Sequence, residues 1–126
     1  MDALLLRLAE EQGIRVIEAP GAFRGGFDPE RRTIRLSPGM SRRTTRSVFA
    51  RELGHAALGH APASQPLIDR RQERQADAWA ARLLISPQDY ADAESRRGAH
   101  LASLAFDLDV TVELVAAYRR MLHLDD

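Results

Sequence analysis

The most constraining feature of the sequence is a helical segment, residues 48–60, that carries charged and imidazole side chains among apolar ones. Its centre contains Arg51, Glu52 and His55. The apolar residues around them recur at helical intervals, which predicts a helix that Ser41 or Thr44 caps and that runs to about residue 58. Positions i and i+4 lie only about 40° apart around an α-helix. Arg51 and His55 therefore leave this helix on the same side.

The spacing of these three residues is close to a zinc-binding pattern. In His-Glu-x-x-His, two imidazoles bind one metal ion from one helix face, and the glutamate acts as general base on the bound water. Here Arg51 stands at the first histidine, Glu52 at the base and His55 at the second histidine. A guanidinium cannot bind zinc, because it has no free lone pair and stays protonated. Taken alone, Glu-x-x-His arises often by chance, and a lone helix histidine is usually a packed or surface residue.

A second helix, predicted over about 67–85, gives this motif a context. Its Glu73 offers a carboxylate as a third metal ligand. Asp77 lies one turn later on the same face and can accept a hydrogen bond from a ligand imidazole. The plainer interpretation is that both are exposed helix charges, with Glu73 paired to Arg70 or Arg74. Spacing alone leaves the two interpretations even.

The rest of the chain predicts a small α+β domain with these two helices at its centre. We find no repeats and no second domain, so one domain over 1–126 is expected. Periodicity, glycine and proline predict the remaining elements. They are a helix over 2–12, a strand over 14–17, a β-hairpin of 22–27 and 33–36, a short helix through 94, and helices near 99–107 and 111–123.

The composition limits the kinds of site and location. The chain has no cysteine, so a transition-metal site must use histidine and carboxylate. No stretch reaches the roughly 18 apolar residues that span a bilayer, and the N-terminal apolar run is too short for a signal peptide. A cytoplasmic location without membrane attachment is expected. The 18 basic and 18 acidic residues balance, which argues against a dominant nucleic-acid role.

In combination, these motifs resemble the ImmA/IrrE family of metallopeptidases, gluzincin-like proteins common in bacteria and their mobile elements. The resemblance covers at least residues 12–123 and departs from the family pattern at Arg51. The matching segments are 12–16, 24–27, 33–36, 51–60 and 101–111. The second helix motif is supplied by Glu73, Ala76, Asp77, Trp79, Ala80, Leu83, Leu84 and Pro87.

The resemblance implies a zincin-like minimal domain, in which a small antiparallel or mixed sheet packs on the active-site helix pair and C-terminal helices follow. It implies Glu52 as the catalytic general base, His55 and Glu73 as metal ligands, and Asp77 as a hydrogen-bond partner of a ligand. The implied cofactor is Zn²⁺. Because Arg51 leaves one ligand fewer than the three usual in catalytic zinc sites, the ion can be absent or weakly bound here.

The other histidines offer no substitute ligand. His60 lies five positions after His55, about 140° around a continuous helix, so we expect it to face elsewhere and to cap the helix end or be exposed. His100 and His123 have no motif around them and are predicted to be surface residues.

The charges near Arg51 predict a different occupant for the metal position. Without a dication, Glu52 and Glu73 would be two partly buried carboxylates facing each other, which is costly. Arg51 has a permanent charge and bidentate geometry, so we expect it to pair with Glu73 and take the metal's place. The alternative is a recent or introduced change in an active peptidase, since histidine and arginine codons can differ by one base.

Three functions follow. The role that the resemblance implies is site-specific cleavage of a helix-turn-helix transcriptional repressor, impaired here by Arg51. The second is a non-catalytic pseudo-peptidase that binds such a repressor or another protein partner. The third is direct nucleic-acid binding by helices over 101–122. It is weak, because the basic residues lie at the far end of the second helix, whereas recognition helices contact bases with their N-terminal part.

Overall fold

A computed structural model describes residues 1–124, which form six helices and a three-stranded sheet. This arrangement confirms the predicted α+β class. Within the described residues, no helix combines the length and apolar character needed to cross a membrane. The elements are α1 (Ala3–Glu11), β1 (Arg15–Glu18), β2 (Gly25–Asp28), β3 (Thr33–Leu36), α2 (Arg42–Ala57), α3 (Pro66–Leu84), α4 (Pro87–Arg97), α5 (Leu101–Leu108) and α6 (Val112–Leu124).

The predicted helices and strands are present, with small differences at their ends. The largest are at the start of β2, which was expected at residue 22 and begins at Gly25, and at the end of α4, which was expected at Glu94 and continues to Arg97. α4 ends there because Gly98 adopts a positive φ of 70°, and its N–H bonds to the carbonyl of Glu94 at 2.8 Å. A pair of arginines suits the last turn of a helix, where positive charge faces the dipole.

The sheet is mixed, with strand order β1–β3–β2. β1 runs parallel to β3, with Val16 opposite Ile34, and β2 runs antiparallel to β3, with Phe27 opposite Ile34. The predicted hairpin is therefore present. The Asp28 carboxylate supports its turn by accepting two backbone N–H groups at 3.0 and 3.2 Å. β2 lies at one edge of the sheet.

One hydrophobic core joins the sheet to the helices. Ile34 and Leu36 of β3 are buried in it together with Phe49 and Leu53 of α2 and Leu114 of α6. Full burial of each such side chain contributes about 1.5–3 kcal/mol relative to exposure. α2 is thus enclosed by the core, and the polar side chains on its other side have fixed positions.

α2 and α3 approach closely at a glycine. A methyl group on Gly54 would lie 3.1 Å from the carbonyl oxygen of Ala76 and 3.2 Å from the ring of Trp79. Ala76 and Ala80 are fully buried and small, so the two backbones can come near each other. This contact places one face of α3 directly against the motif of α2.

α2 ends at Ala57 because Gly59 adopts a left-handed conformation with φ of 69°. The N–H of Gly59 bonds to the carbonyl of Ala56 at 3.2 Å, and that of His60 to the carbonyl of His55 at 3.0 Å. These two bonds define a Schellman C-cap. The chain therefore reverses here and returns along the side of the helix.

Arg46, in the first half of α2, joins three parts of the fold. Its Nε donates to the carboxylate of Asp2 at 3.1 Å, and the same carboxylate caps α1 by accepting the N–H of Leu5 at 3.1 Å. Its Nη1 donates to the carbonyl of Asp109, at the turn between α5 and α6, at 2.7 Å. Arg46 therefore holds the N-terminus and the C-terminal helices against α2.

We predict that Arg46→Met lowers the free energy of unfolding by about 1–3 kcal/mol, because a partly buried carboxylate and a carbonyl lose their donor. Urea unfolding at neutral pH measures the change. The control is Arg7→Met at an exposed position of α1, which should change stability by less than about 0.5 kcal/mol. Equal effects of the two substitutions would contradict the role given to Arg46.

Candidate functional site

The residues that the sequence singled out lie on the facing sides of α2 and α3. Arg51, Glu52 and His55 extend from α2, and Glu73 and Asp77 extend from α3. Four of the five line a cavity of about 660 Å³, while Asp77 contacts Arg51 without lining it. β2 and the segment after α2 form the other walls. The two helix motifs thus meet at one place, although they are distant in sequence.

The guanidinium of Arg51 lies among the carboxylates of α3. Its Nη2 contacts Oε2 of Glu73, and its Nε lies 3.1 Å from Oδ1 of Asp77. Nε of Arg51 and Oε2 of Glu73 are buried, and neither makes a well-oriented hydrogen bond. The attraction between Arg51 and the two carboxylates is therefore that of close ion pairs. The expected pairing of Arg51 with Glu73 is present, and Glu73 does not act merely as an exposed charge paired to Arg70 or Arg74.

Asp77 contacts the side chain at position 51, which the family pattern assigns to the first metal ligand. The sequence predicted a hydrogen bond from a ligand imidazole to Asp77, whereas in the structure Asp77 pairs with the guanidinium of Arg51. Burial raises the pKa of Asp77, and the positive charge of Arg51 opposes that rise. The ion pair therefore offsets part of the cost of burying this carboxylate.

His55 directs its two ring nitrogens to different partners. Nε2 lies 3.3 Å from Oε1 of Glu73, and Nδ1 lies 2.9 Å from Nδ1 of His60. Two ligands of one tetrahedral zinc ion are about 3.3 Å apart, so the pair of Nε2 and Oε1 has the spacing of a ligand pair. Burial, together with the neighbouring His60 and Arg51, lowers the pKa of His55 to about 4. The ring is neutral near pH 7.

His60 lies in the site, so the prediction that it faces elsewhere was wrong. That prediction assumed a helix that continues to residue 60, whereas α2 ends at Ala57 and the chain reverses at Gly59. The rings of His55 and His60 meet edge to face with centroids 5.1 Å apart, and Nε2 of His60 lies 2.8 Å from Oε1 of Gln75. Gly59 was the signal that the sequence offered, since glycine after a last helical turn favours such a reversal.

The remaining histidines lie at the surface, as predicted. His100 is exposed and accepts a bond from the N–H of Ser103 at the start of α5, and His123 is exposed in α6. Neither lines the cavity described above.

Glu52 is buried, with 6% of its surface exposed. It lies beneath β2, where a methyl group on Gly25 would be 2.6 Å from Val48 and 3.6 Å from Cγ of Glu52. Burial raises the pKa of Glu52 to about 7, although the guanidinium groups of Arg51 and Arg35 oppose the rise. A carboxyl group with this pKa can take up or release a proton near neutral pH.

The residues present do not fit the catalytic zinc ion that the pattern implies. Such a site normally has three protein ligands. His55 and Glu73 offer two, and the third position holds Arg51, which itself contacts Glu73. Over residues 1–124, no group of three or more His, Cys, Asp or Glu is arranged to hold a metal ion. The site is organised around a guanidinium.

Comparison with known proteins agrees with this fold and with the helix pair. The family model of the IrrE N-terminal-like domain, a peptidase family of the zinc metallopeptidase type, matches residues 9–119. The match includes the sheet, α2, α3 and most of the C-terminal helices. The chain therefore belongs to the IrrE N-terminal-like peptidase family, which confirms the resemblance seen in the sequence. No curated protein matches the chain significantly.

We predict that Arg51→Met lowers the free energy of unfolding by about 1–3 kcal/mol, because Glu73 and Asp77 lose the positive charge between them. Chemical unfolding at neutral pH and low salt measures the loss. Adding Glu73→Gln to Arg51→Met should recover part of it, since one uncompensated charge is then removed. If Arg51→Met were as stable as the parent, the ion pairs of Arg51 would contribute nothing to the stability of the fold.

We predict a pH dependence from Glu52. Its folded-state pKa of about 7 exceeds its ordinary value of 4.5, so the folded state binds the extra proton and stability falls as pH rises through this range. Glu52→Gln lacks that fall. The difference in free energy of unfolding between Glu52→Gln and the parent should therefore increase, in favour of the variant, by on the order of 2 kcal/mol or more from pH 5 to pH 8. Glu30→Gln in the exposed turn is the control. Parallel pH curves for Glu52→Gln and the parent would contradict the raised pKa.

Proposed function

We propose that this chain is a cytoplasmic regulatory protein that binds a helix-turn-helix transcriptional repressor, and that Arg51 abolishes or strongly impairs the repressor cleavage implied by the family role. The observation that carries the proposal is the contact of Arg51 with Glu73 and its 3.1 Å approach to Asp77. A guanidinium neutralises these carboxylates as a metal ion would. Unlike a metal ion, however, a guanidinium has no vacant orbital that could bind a water molecule and lower its pKa.

The cavity supports the binding half of the proposal. Its rim includes Phe23, which is 78% exposed, and its wall includes β2 at the edge of the sheet. Extended protein segments are commonly bound by a sheet edge together with apolar contacts. A partner segment can therefore be held in the cavity without being cut.

An active metallopeptidase is the second candidate function. It is favoured by the 3.3 Å spacing of Nε2 of His55 and Oε1 of Glu73, and by the pKa of Glu52 near 7. Both features suit a site with a metal ion and a general base. This candidate requires Arg51 to leave Glu73, which costs the ion pair described above.

Direct nucleic-acid binding is not part of the proposal. Arg119, near the end of α6, donates to the carbonyl of Ala99 at 2.8 Å and to the hydroxyl of Tyr90 at 3.3 Å. An arginine engaged within the fold is less available to a phosphate group. Glu113 lies in the first turn of α6, where it would face the bases of a bound duplex.

We predict that the purified chain contains far less than one zinc ion per molecule, whereas Arg51→His contains about one, because the variant restores the third ligand. Elemental analysis after dialysis against zinc and then buffer measures the content. Arg51→Gln is the matched control, since it removes the guanidinium without adding an imidazole, and it should remain low. About one zinc ion in the unaltered chain would favour the second candidate.

The same proteins distinguish binding from cleavage. Each is mixed with purified candidate helix-turn-helix repressors from the same genome, and calorimetry and mass spectrometry record affinity and fragments. The proposal expects the unaltered chain to bind the repressor and leave it intact, while Arg51→His cuts it. Cleavage by the unaltered chain would contradict the proposed impairment. Lack of binding by both proteins would contradict the proposed partner.

A further inference from the structure

We propose that His60, held in turn by Gln75, is a positioning residue that keeps His55 in the tautomer with its proton on Nδ1. The lone pair on Nε2 of His55 then faces the cavity. The inference rests on the contacts of these three side chains and goes beyond the function proposed above. It assigns a role to His60, which is neither a metal ligand nor the general base in the family pattern.

The direction of the hydrogen bonds follows from the amide of Gln75. Its Oε1 lies 2.8 Å from Nε2 of His60, and an amide oxygen can only accept. Nε2 of His60 is therefore the donor in this bond, and in the singly protonated ring its Nδ1 is an acceptor. Nδ1 of His55, 2.9 Å away, must then be the donor. A neutral His55 with its proton on Nδ1 has a lone pair on Nε2.

Three contacts hold His60 in place, two of them through its ring. Its backbone N–H is bonded to the carbonyl of His55 at 3.0 Å, in the turn that Gly59 makes possible. Its ring lies edge to face against that of His55 at 62°. The bond to Gln75 of α3 fixes the rotation of the ring about the Cβ–Cγ bond. His60 is thus held by the backbone, by packing and by a polar side chain.

The proposed tautomer determines what the cavity offers to an occupant. Nε2 of His55 and Oε1 of Glu73 are two acceptors 3.3 Å apart. Their mutual repulsion is offset by Arg51, which contacts the other carboxylate oxygen of Glu73. This wall of the cavity therefore accepts hydrogen bonds, so an N–H group of an occupant matches it and a carboxylate does not.

Nitrogen-15 NMR of the full chain, labelled in its histidine rings, tests the tautomer directly. The spectra are recorded at mildly alkaline pH, where imidazole groups are neutral. We expect Nδ1 of His55 to be protonated and Nε2 to be unprotonated, with a coupling across the hydrogen bond to Nδ1 of His60. A proton on Nε2 of His55, or on both of its nitrogens, would overturn the proposal.

Substitutions separate positioning from a general structural role. His60→Ala should change the ratio of the two His55 tautomers by about tenfold, the effect of one ordinary hydrogen bond. His60→Gln should restore the parent ratio, because its amide oxygen can accept from Nδ1 of His55. His100→Ala, at the exposed start of α5, is the control and should leave the ratio unchanged.

Gln75→Leu provides a second route to the same answer if His60→Ala fails to fold. It removes only the acceptor of His60, so it should shift the His55 ratio in the same direction as His60→Ala. An unaltered ratio in folded Gln75→Leu or His60→Ala would show that His60 does not set the tautomer, and the proposal would then be wrong.

Discussion

The contact between Arg51 and Glu73 is the interaction on which the site depends. The close approach of α2 and α3 at Gly54 brings the carboxylates of α3 against α2, where uncompensated charge would cost several kcal/mol. A metal ion would have to be captured from solution, and its stabilising effect would depend on its concentration. A guanidinium belongs to the chain, so the helix pair is stabilised whatever the metal supply.

Local patterns were sufficient to predict the elements and the two motif helices. Helical spacing of apolar residues, together with Gly59 and Gly98 after helix ends, predicts where α2 and α4 stop to within a few residues. The pairing of Arg51 with Glu73 was also predictable, because charge balance limits what can stand between buried carboxylates. These features depend on near neighbours or on a single strong constraint.

The features that sequence reasoning missed depend on the path of the chain in space. The position of His60 follows from the hydrogen bonds of a left-handed turn, which a continuous helical projection ignores. The pKa of Glu52 depends on how closely β2 covers it at Gly25, far away in sequence. Arg46 joins Asp2 to the turn at Asp109, and no local pattern indicates that contact.

Glu52 is the part of the site for which Arg51 does not account. Arg51 compensates Glu73 and Asp77, yet burial still raises the pKa of Glu52 to about 7, so its ionised form is unfavourable in the folded state. Stability alone would favour an amide or apolar side chain there. Folding alone therefore does not account for an acid at this position. The neighbouring acceptor nitrogen of His55 makes the same wall suitable for donors.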